Sequence, residues 1–432
     1  MAVEKALNEM SALELAGLVA QKRTTTEAIM RACLERIAAR ESEVGAWAHL
    51  DADAAISAAC AFDRGAARRL LYGIPFGVKD IIDTTDYPTE CGTPIYVGRR
   101  TPWDAACVAG ARAAGALLLG KTVTTELAYF APGKTRNPHN LAHTPGGSSS
   151  GSAAAVADCM VPLALGTQTG GSVIRPAAFC GVVGYKPSFG LVSRAGVKTE
   201  SDSLDTVGFF ARTVPDAGLF AMGVTGRPAL GKLSDFAAPI RIGLCRTQEW
   251  RNAAPETLAL FESAPAVLAR GGAKIVELNL PEPFQEIGSA HQAIMAYEVA
   301  RAYAYEWHNH GERLSEALRK LIEEGIAVPS ERYDAARAQG RTCRSLFCEA
   351  MRQFDVVITP SAIGEAPEGL ASTGSPVFNR MWTLLGTPAV TVPAGRGPRG
   401  LPLGLQMVGA PGEDARTLAA ANWIHNTLMT SG

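Results

Sequence analysis

The sequence has almost no net charge, no long apolar run, no paired cysteines and no internal repeat. Each lack removes a class of function. Its 41 Lys and Arg stand against 42 Asp and Glu, leaving a formal charge of −1. No global field therefore draws the chain to nucleic acid or to an anionic membrane, and neither is expected as a partner. The most apolar stretch, residues 153–166, carries Asp158 and Pro162 and is too short to span a bilayer. The opening stretch MAVEKALNEMSALELAGLVAQKR is amphipathic and charged throughout, unlike the apolar core of a signal peptide. The nine cysteines are scattered, odd in number and free of any CxxC pair. That usage fits reduced, mostly buried thiols such as Cys91 and Cys180 in a cytoplasmic protein. No repeat and no low-complexity linker divides the chain.

What is present fits a large folded unit. The chain has 432 residues, 47% of them hydrophobic, which is enough apolar mass for a sizeable core. Two S/T-x-x-E capping boxes open it, Ser11 with Glu14 and Thr24 with Glu27. After the second, Ile29, Cys33 and Ile37 recur at helical spacing and give one buried face. A further helix is expected over about 104–114. Short apolar runs then alternate with helical patterns: ALLLG, VPLALG, IRIGLC, AKIVELNL, DVVITP, AVTVPAG and GLPLGLQMVG. This predicts an α/β layout around a largely buried sheet. The stretch from about 225 to 350 is richer in charge and helix than its flanks.

Three motifs bear on chemistry. GALLLGKT (115–122) fits the P-loop pattern by letter, but its interior is three leucines and a helix precedes it. A phosphate cradle needs a polar-tolerant loop that leads into a helix, so this stretch is read as a buried strand with a solvent-facing Lys121. GSSSG (147–151) fits the nucleophile-elbow pattern with Ser149 central. That elbow needs a strand immediately before it, and TRNPHNLAHTP is rich in turn formers instead. The third is a constellation of GVKD with Lys79, PGGSSSGSAAAV with Ser148, and QTGGSVIRPAA with Ser172. A helix-like stretch and one strand join the two Gly-Gly-Ser clusters, a pass that can bring both serines to one end of a sheet.

This constellation resembles the Ser–Ser–Lys site of the amidase signature family. The resemblance extends to TRNPHN, GVVGYKPSFGLVSRAG, SLDTVGFFARTV and the C-terminal GTPAVTVPAG and GLPLGLQMVG. It implies an α/β fold of three layers, α/β/α, with a large mixed sheet flanked by helices. It also implies one domain over 1–432, with N-terminal helices to about 70, a catalytic core to about 225, a helical insertion or cap to about 350, and C-terminal core strands and a helix. The chain has no S-x-x-K, which argues against the penicillin-binding type of serine–lysine hydrolase.

By resemblance Ser172 is the nucleophile, Ser148 bridges it to Lys79, and the Gly147–Ser148 peptide is cis. Thr169, Gly170, Gly171 and Ser172 form the oxyanion hole, where glycines let backbone N–H groups approach the substrate closely. Lys79 sits in an apolar run, where burial lowers an amine's pKa and frees it to act as a base. Gly147, Ser149 and Tyr129 are expected at the substrate, with Phe130 beside them. Asp205 and Arg212 are expected to support the loops, and His139 and His143 to fix them. In most of the family the nearby arginine follows the nucleophile by two residues. Here Arg175 follows by three, a variant resembling malonamidase, where that arginine binds a substrate carboxylate. A structural ion pair or helix-end contact is the other reading of Arg175.

The expected activity is cofactor-independent hydrolysis of a small amide through an acyl-enzyme, with no metal. An acidic amide such as malonamate is one candidate substrate. Carbamate (urethanase), ester and aryl-amide hydrolysis remain open on the same site. So do the glutaminase subunit of a tRNA-dependent amidotransferase and a homodimeric assembly.

Overall fold

The computed structural model describes residues 5–65, 69–234, 236 and 239–430; the first four residues of the amphipathic N-terminal stretch lie outside them. Among the described residues, eleven strands form one mixed sheet. They are β1 Trp47–Leu50, β2 Pro75–Lys79, β3 Leu117–Thr122, β4 Leu163–Gln168, β5 Val183–Lys186, β6 Thr206–Ala211, β7 Arg241–Leu244, β8 Lys274–Glu277, β9 Val356–Pro360, β10 Ala389–Arg396 and β11 Pro402–Val408. Their order across the sheet is β1-β3-β2-β4-β6-β5-β10-β11-β9-β7-β8. β2 runs parallel to β3 and β4, and β7 runs parallel to β8 and β9. The other neighbours are antiparallel.

Alternation along β6 shows the layering. Phe209 meets Phe220 of the helix Val214–Thr225 at 5.5 Å between ring centroids. The adjacent Gly208 faces the other way, where a Cβ would lie 2.7 Å from Val173, at the start of the helix Ile174–Cys180. Successive side chains of a strand point to opposite faces, so the two helices cover opposite sides of the sheet. Phe76, Phe209 and Phe220 are fully buried, each burial stabilising by about 1.5–3 kcal/mol.

Local signals set most helix starts. Ser11 and Glu14 form the expected capping box of the helix Ala12–Ala20. The next helix, Thr26–Val44, starts one residue later than expected: Thr25, not Thr24, is its N-cap, accepting from Ala28 N. Ile29, Met30, Cys33 and Ile37 are its buried face. The segment 226–350 supplies more than a helical cap, since β7 and β8 lie within it and close one edge of the sheet.

Lys121 corrects the expectation of a solvent-facing lysine. β3 lies between β1 and β2, and the Lys121 side chain is fully buried. Its Nζ pairs with Asp80 Oδ1 at 2.9 Å and reaches Thr89 Oγ1 at 2.8 Å. The lysine is tolerated there because it meets a carboxylate.

The helix Ser150–Ala157 runs antiparallel to β4, and this aligns the two Gly-Ser loops. Ser149 Oγ meets Thr167 O at 3.2 Å, and three residues on Ser152 Oγ donates to Leu165 O at 2.9 Å. The start of that helix and the end of β4 therefore lie at one end of the strands, as does the end of β2, whose Val78 pairs with Leu165. The packing is close at Gly151, where a Cβ would lie 2.2 Å from Ala46 O and 2.4 Å from Val123 N. Both are backbone atoms and cannot swing aside. Gly151→Ala is expected to destabilise the fold by about 1–3 kcal/mol, seen as a lowered melting temperature. An unchanged melt would show that the helix lifts off β3 without cost.

Candidate active site

Lys79 is the last residue of β2, a strand buried along its whole length. Its Nζ lies 2.7 Å from Ser148 Oγ and 2.7 Å from Thr167 Oγ1. Burial lowers its pKa to about 7, against the raising influence of Glu200 and Asp205. The neighbouring Asp80 is turned away to Lys121. The Gly147–Ser148 peptide is cis.

Ser172 and Ser148 line one cleft, together with Tyr129, Phe130, Thr169, Gly170, Gly171, Arg175, Glu200, Thr373 and Arg380. The cleft measures about 360 Å³, including the part open to solvent. It is narrow, and its width suits a small acyl group.

The loop 169–172 is fixed through its carbonyls and side chains. His291 Nε2 donates to Thr169 O at 2.8 Å, and Thr383 Oγ1 donates to Gly170 O at 2.8 Å. Gln168 Oε1 accepts from Val173 N and Ile174 N. Among the described residues, the amides of Gly170, Gly171 and Ser172 have no protein acceptor. A carbonyl oxygen gaining negative charge could take those donors. His291 is buried against Arg380, and its pKa falls to about 3, so the imidazole is neutral and donates as one tautomer.

Arg175 is buried with no carboxylate partner among the described residues. Its Nη2 donates to Gly147 O at 2.6 Å and to Thr373 Oγ1 at 3.2 Å. Nε and Nη1 are buried and have no hydrogen-bond partner among the described residues. Burial, helped by the nearby Arg380, lowers its pKa to about 9. Arg380 lines the same cleft, and its Nε also lacks a hydrogen-bond partner among the described residues.

Other expected residues fall in different places. Ser149 does not line the cleft. It is fully buried, and its hydroxyl bonds the backbone of Thr167 on β4, because the first turn of the helix turns that side chain toward the sheet. Gly147 contributes through its carbonyl, which Arg175 holds. Tyr129 and Phe130 do line the cleft. His139 and His143 hold loop carbonyls, those of Cys180 and Ala366. Arg212 binds the carbonyls of Val161 and Met10. Burial raises the thiol pKa of Cys91 to about 12.

Sequence reasoning passed over Glu200, Thr373 and Arg380. The available signal for Arg380 was a lone charge inside the apolar helix Val377–Leu384. For Glu200 and Thr373 no local pattern marks the position.

Comparison with known proteins follows the same lines. A family model described as Amidase matches residues 28–418. The matching subunit of the glutamyl-tRNA(Gln) amidotransferase of Salinispora arenicola is 35% identical, with 96% of each chain covered. Among solved structures, native peptide amidase from Stenotrophomonas maltophilia superposes with a TM-score of 0.81 at 30% identity, covering 97% of each chain. A structure described as a vestigial complex bearing on the origin of an s-triazine catabolic enzyme gives a TM-score of 0.89 at 28% identity, covering 97% of this chain and 98% of that one. These relatives overturn the exclusion of nucleic acid. A protein alike over nearly its whole length belongs to a tRNA-linked amidotransferase, and net charge summed over a chain does not report on such an assembly. No helix among the described residues is long and apolar enough to cross a membrane.

Proposed function

The chain belongs to the amidase signature family, whose members hydrolyse carbon–nitrogen bonds of amides, and from that premise we propose that it cleaves a small carboxamide bearing a carboxylate. Ser172 Oγ attacks the amide carbon. Its proton passes to Ser148, whose own proton passes to the neutral Lys79 amine. The resulting oxyanion takes the free amides of the 170–172 loop. The same relay returns a proton to the departing nitrogen, leaving an acyl-enzyme on Ser172, which water then cleaves by the reverse proton path.

One observation carries the choice of substrate. Two arginines lean on a narrow cleft, and the buried Nε and Nη1 of Arg175 have no acceptor among the described residues. The one carboxyl group in the cleft lining, on Glu200, is engaged by Thr169. A substrate carboxylate would satisfy the orphaned donors through charge-assisted bonds worth about 1.5–3 kcal/mol.

Arg380 tests this more cleanly than Arg175, because Arg175 also holds Gly147. Arg380→Met is expected to lower kcat/KM for malonamate by about tenfold to a hundredfold. A neutral amide of similar size should lose little. Equal losses on both, with a lowered melting temperature, would make the arginine structural and favour a neutral amide, carbamate or ester.

The curated relatives favour a second reading, the glutaminase subunit of a tRNA-dependent amidotransferase. Glutamine is itself a small carboxamide with a carboxylate, so the same arginines would serve. Assaying the purified chain on malonamate and glutamine, with and without co-purifying proteins and tRNA, separates the two. Turnover of glutamine alone, dependent on those additions, selects the amidotransferase.

A further inference from the structure

The Thr169 hydroxyl sits between two buried carboxyl groups. Its Oγ1 is 2.7 Å from Glu200 Oε2 and 2.6 Å from Asp205 Oδ1. A hydroxyl carries one proton and cannot donate to two carboxylates. Both contacts are satisfied only if one carboxyl is protonated and donates to Thr169, which then donates onward to the other. Asp205 is the better anion, since its Oδ2 also accepts from the backbone N–H of Glu200 at 2.8 Å and of Ser201 at 3.0 Å. The Glu200 side chain has only the Thr169 contact among the described residues, and it faces the cleft.

We propose that Glu200 is a positioning residue that holds a proton beside the Ser172–Ser148–Lys79 site, so that Lys79 stays the free base. This deepens the reading above and rests on Lys79 being the base. Lys79 and Glu200 compete for one proton. With that proton on Glu200, Lys79 has a lone pair for Ser148. With it on Lys79, both groups are charged, the net charge is the same and no base is left. The Thr169–Asp205 chain favours the first arrangement, because it needs a donor where Glu200 stands.

The surroundings agree. Asp205 is joined to Glu200 through Thr169, Tyr129 lines the same cleft, and Tyr303 and Lys79 lie near enough to feel its charge. Arg194 and Lys198 share a second small cavity with Glu200, Thr169 and Asp205. Lys198 is paired with Glu306 at 2.5 Å. Arg194 acts on Asp205, which favours the charge there. Burial and Asp205 raise the pKa of Glu200 to about 8, while burial lowers that of Lys79 to about 7. Both shifts run in the direction that puts the proton on the glutamate.

The test is the pH profile of kcat/KM on one small amide for the wild type, E200Q and K79A. The amide introduced by E200Q can still donate to Thr169 but cannot ionise. In E200Q the rise with pH should move to lower pH by about 0.5–1 unit. A merely structural glutamate would change the height of the curve and not its midpoint. A folded E200Q with the wild-type midpoint, beside an inactive K79A, overturns the role of Glu200 alone. An active K79A overturns the lysine base itself. Infrared spectra of the wild type with 13C-labelled glutamate test the proton without any variant. The expected result is a protonated-acid C=O band at pH 7 that bleaches above pH 9; its absence at pH 7 contradicts the proposal.

Discussion

Ser172→Ala is expected to fold normally and to lose turnover by about 10⁴-fold or more, which is more than about 5 kcal/mol of transition-state stabilisation. The fold should survive because the Ser172 hydroxyl has no hydrogen-bond partner among the described residues, so its removal leaves no buried group unsatisfied. Ser149→Ala gives the opposite pattern. That hydroxyl bonds both the N–H and the carbonyl of Thr167, so the variant should melt lower by the equivalent of about 1–2 kcal/mol and keep most of its activity. Steady-state release of ammonia or amine, with a melting curve on each variant, checks both. An active Ser172→Ala beside an inactive Ser149→Ala would restore the elbow reading.

Lys79 should make the reaction rise with pH. Only the neutral amine can accept the proton from Ser148, and burial brings the lysine's pKa down to about 7. The rate is therefore low below that value, climbs through it and levels off above it. Lys79→Ala should lose about 10²–10⁴-fold, the usual worth of a placed general base, and should flatten the climb. Lys79→Arg should be nearly inactive across the range, because a guanidinium holds its proton far more tightly than an amine. A wild-type profile flat from pH 5 to 9, with chemistry shown to be rate-limiting, would contradict a lysine base.

Much of this was legible in the sequence because the informative residues are local. The Gly-Gly-Ser clusters, the lysine in an apolar run and the alternating apolar stretches each carry their meaning within a few residues. What was missed is long-range. Lys121 looked solvent-facing because its partner Asp80 lies just past the end of β2, far away in sequence, and only the sheet order puts β3 in the interior. Arg380 and Thr373 arrive at the cleft from more than 200 residues beyond Ser148 and Ser172 along the chain. Glu200 reads as one acidic residue among several in KTESDSLD, and becomes notable only where Thr169 joins it to Asp205. The exclusion of nucleic acid failed for a similar reason: a charge sum discards position.

The chemistry turns on which side chain becomes acylated. The most direct measurement exposes the wild-type protein to an activated ester of a small carboxylate-bearing acid, quenches within the first turnovers, and maps the adduct by peptide mass spectrometry. The predicted result is one acyl group on Ser172, with Ser148, Ser149 and every cysteine unmodified, and no adduct in Ser172→Ala. An acyl group on Ser149 or on a cysteine, with Ser172 unmodified while turnover proceeds, would contradict it.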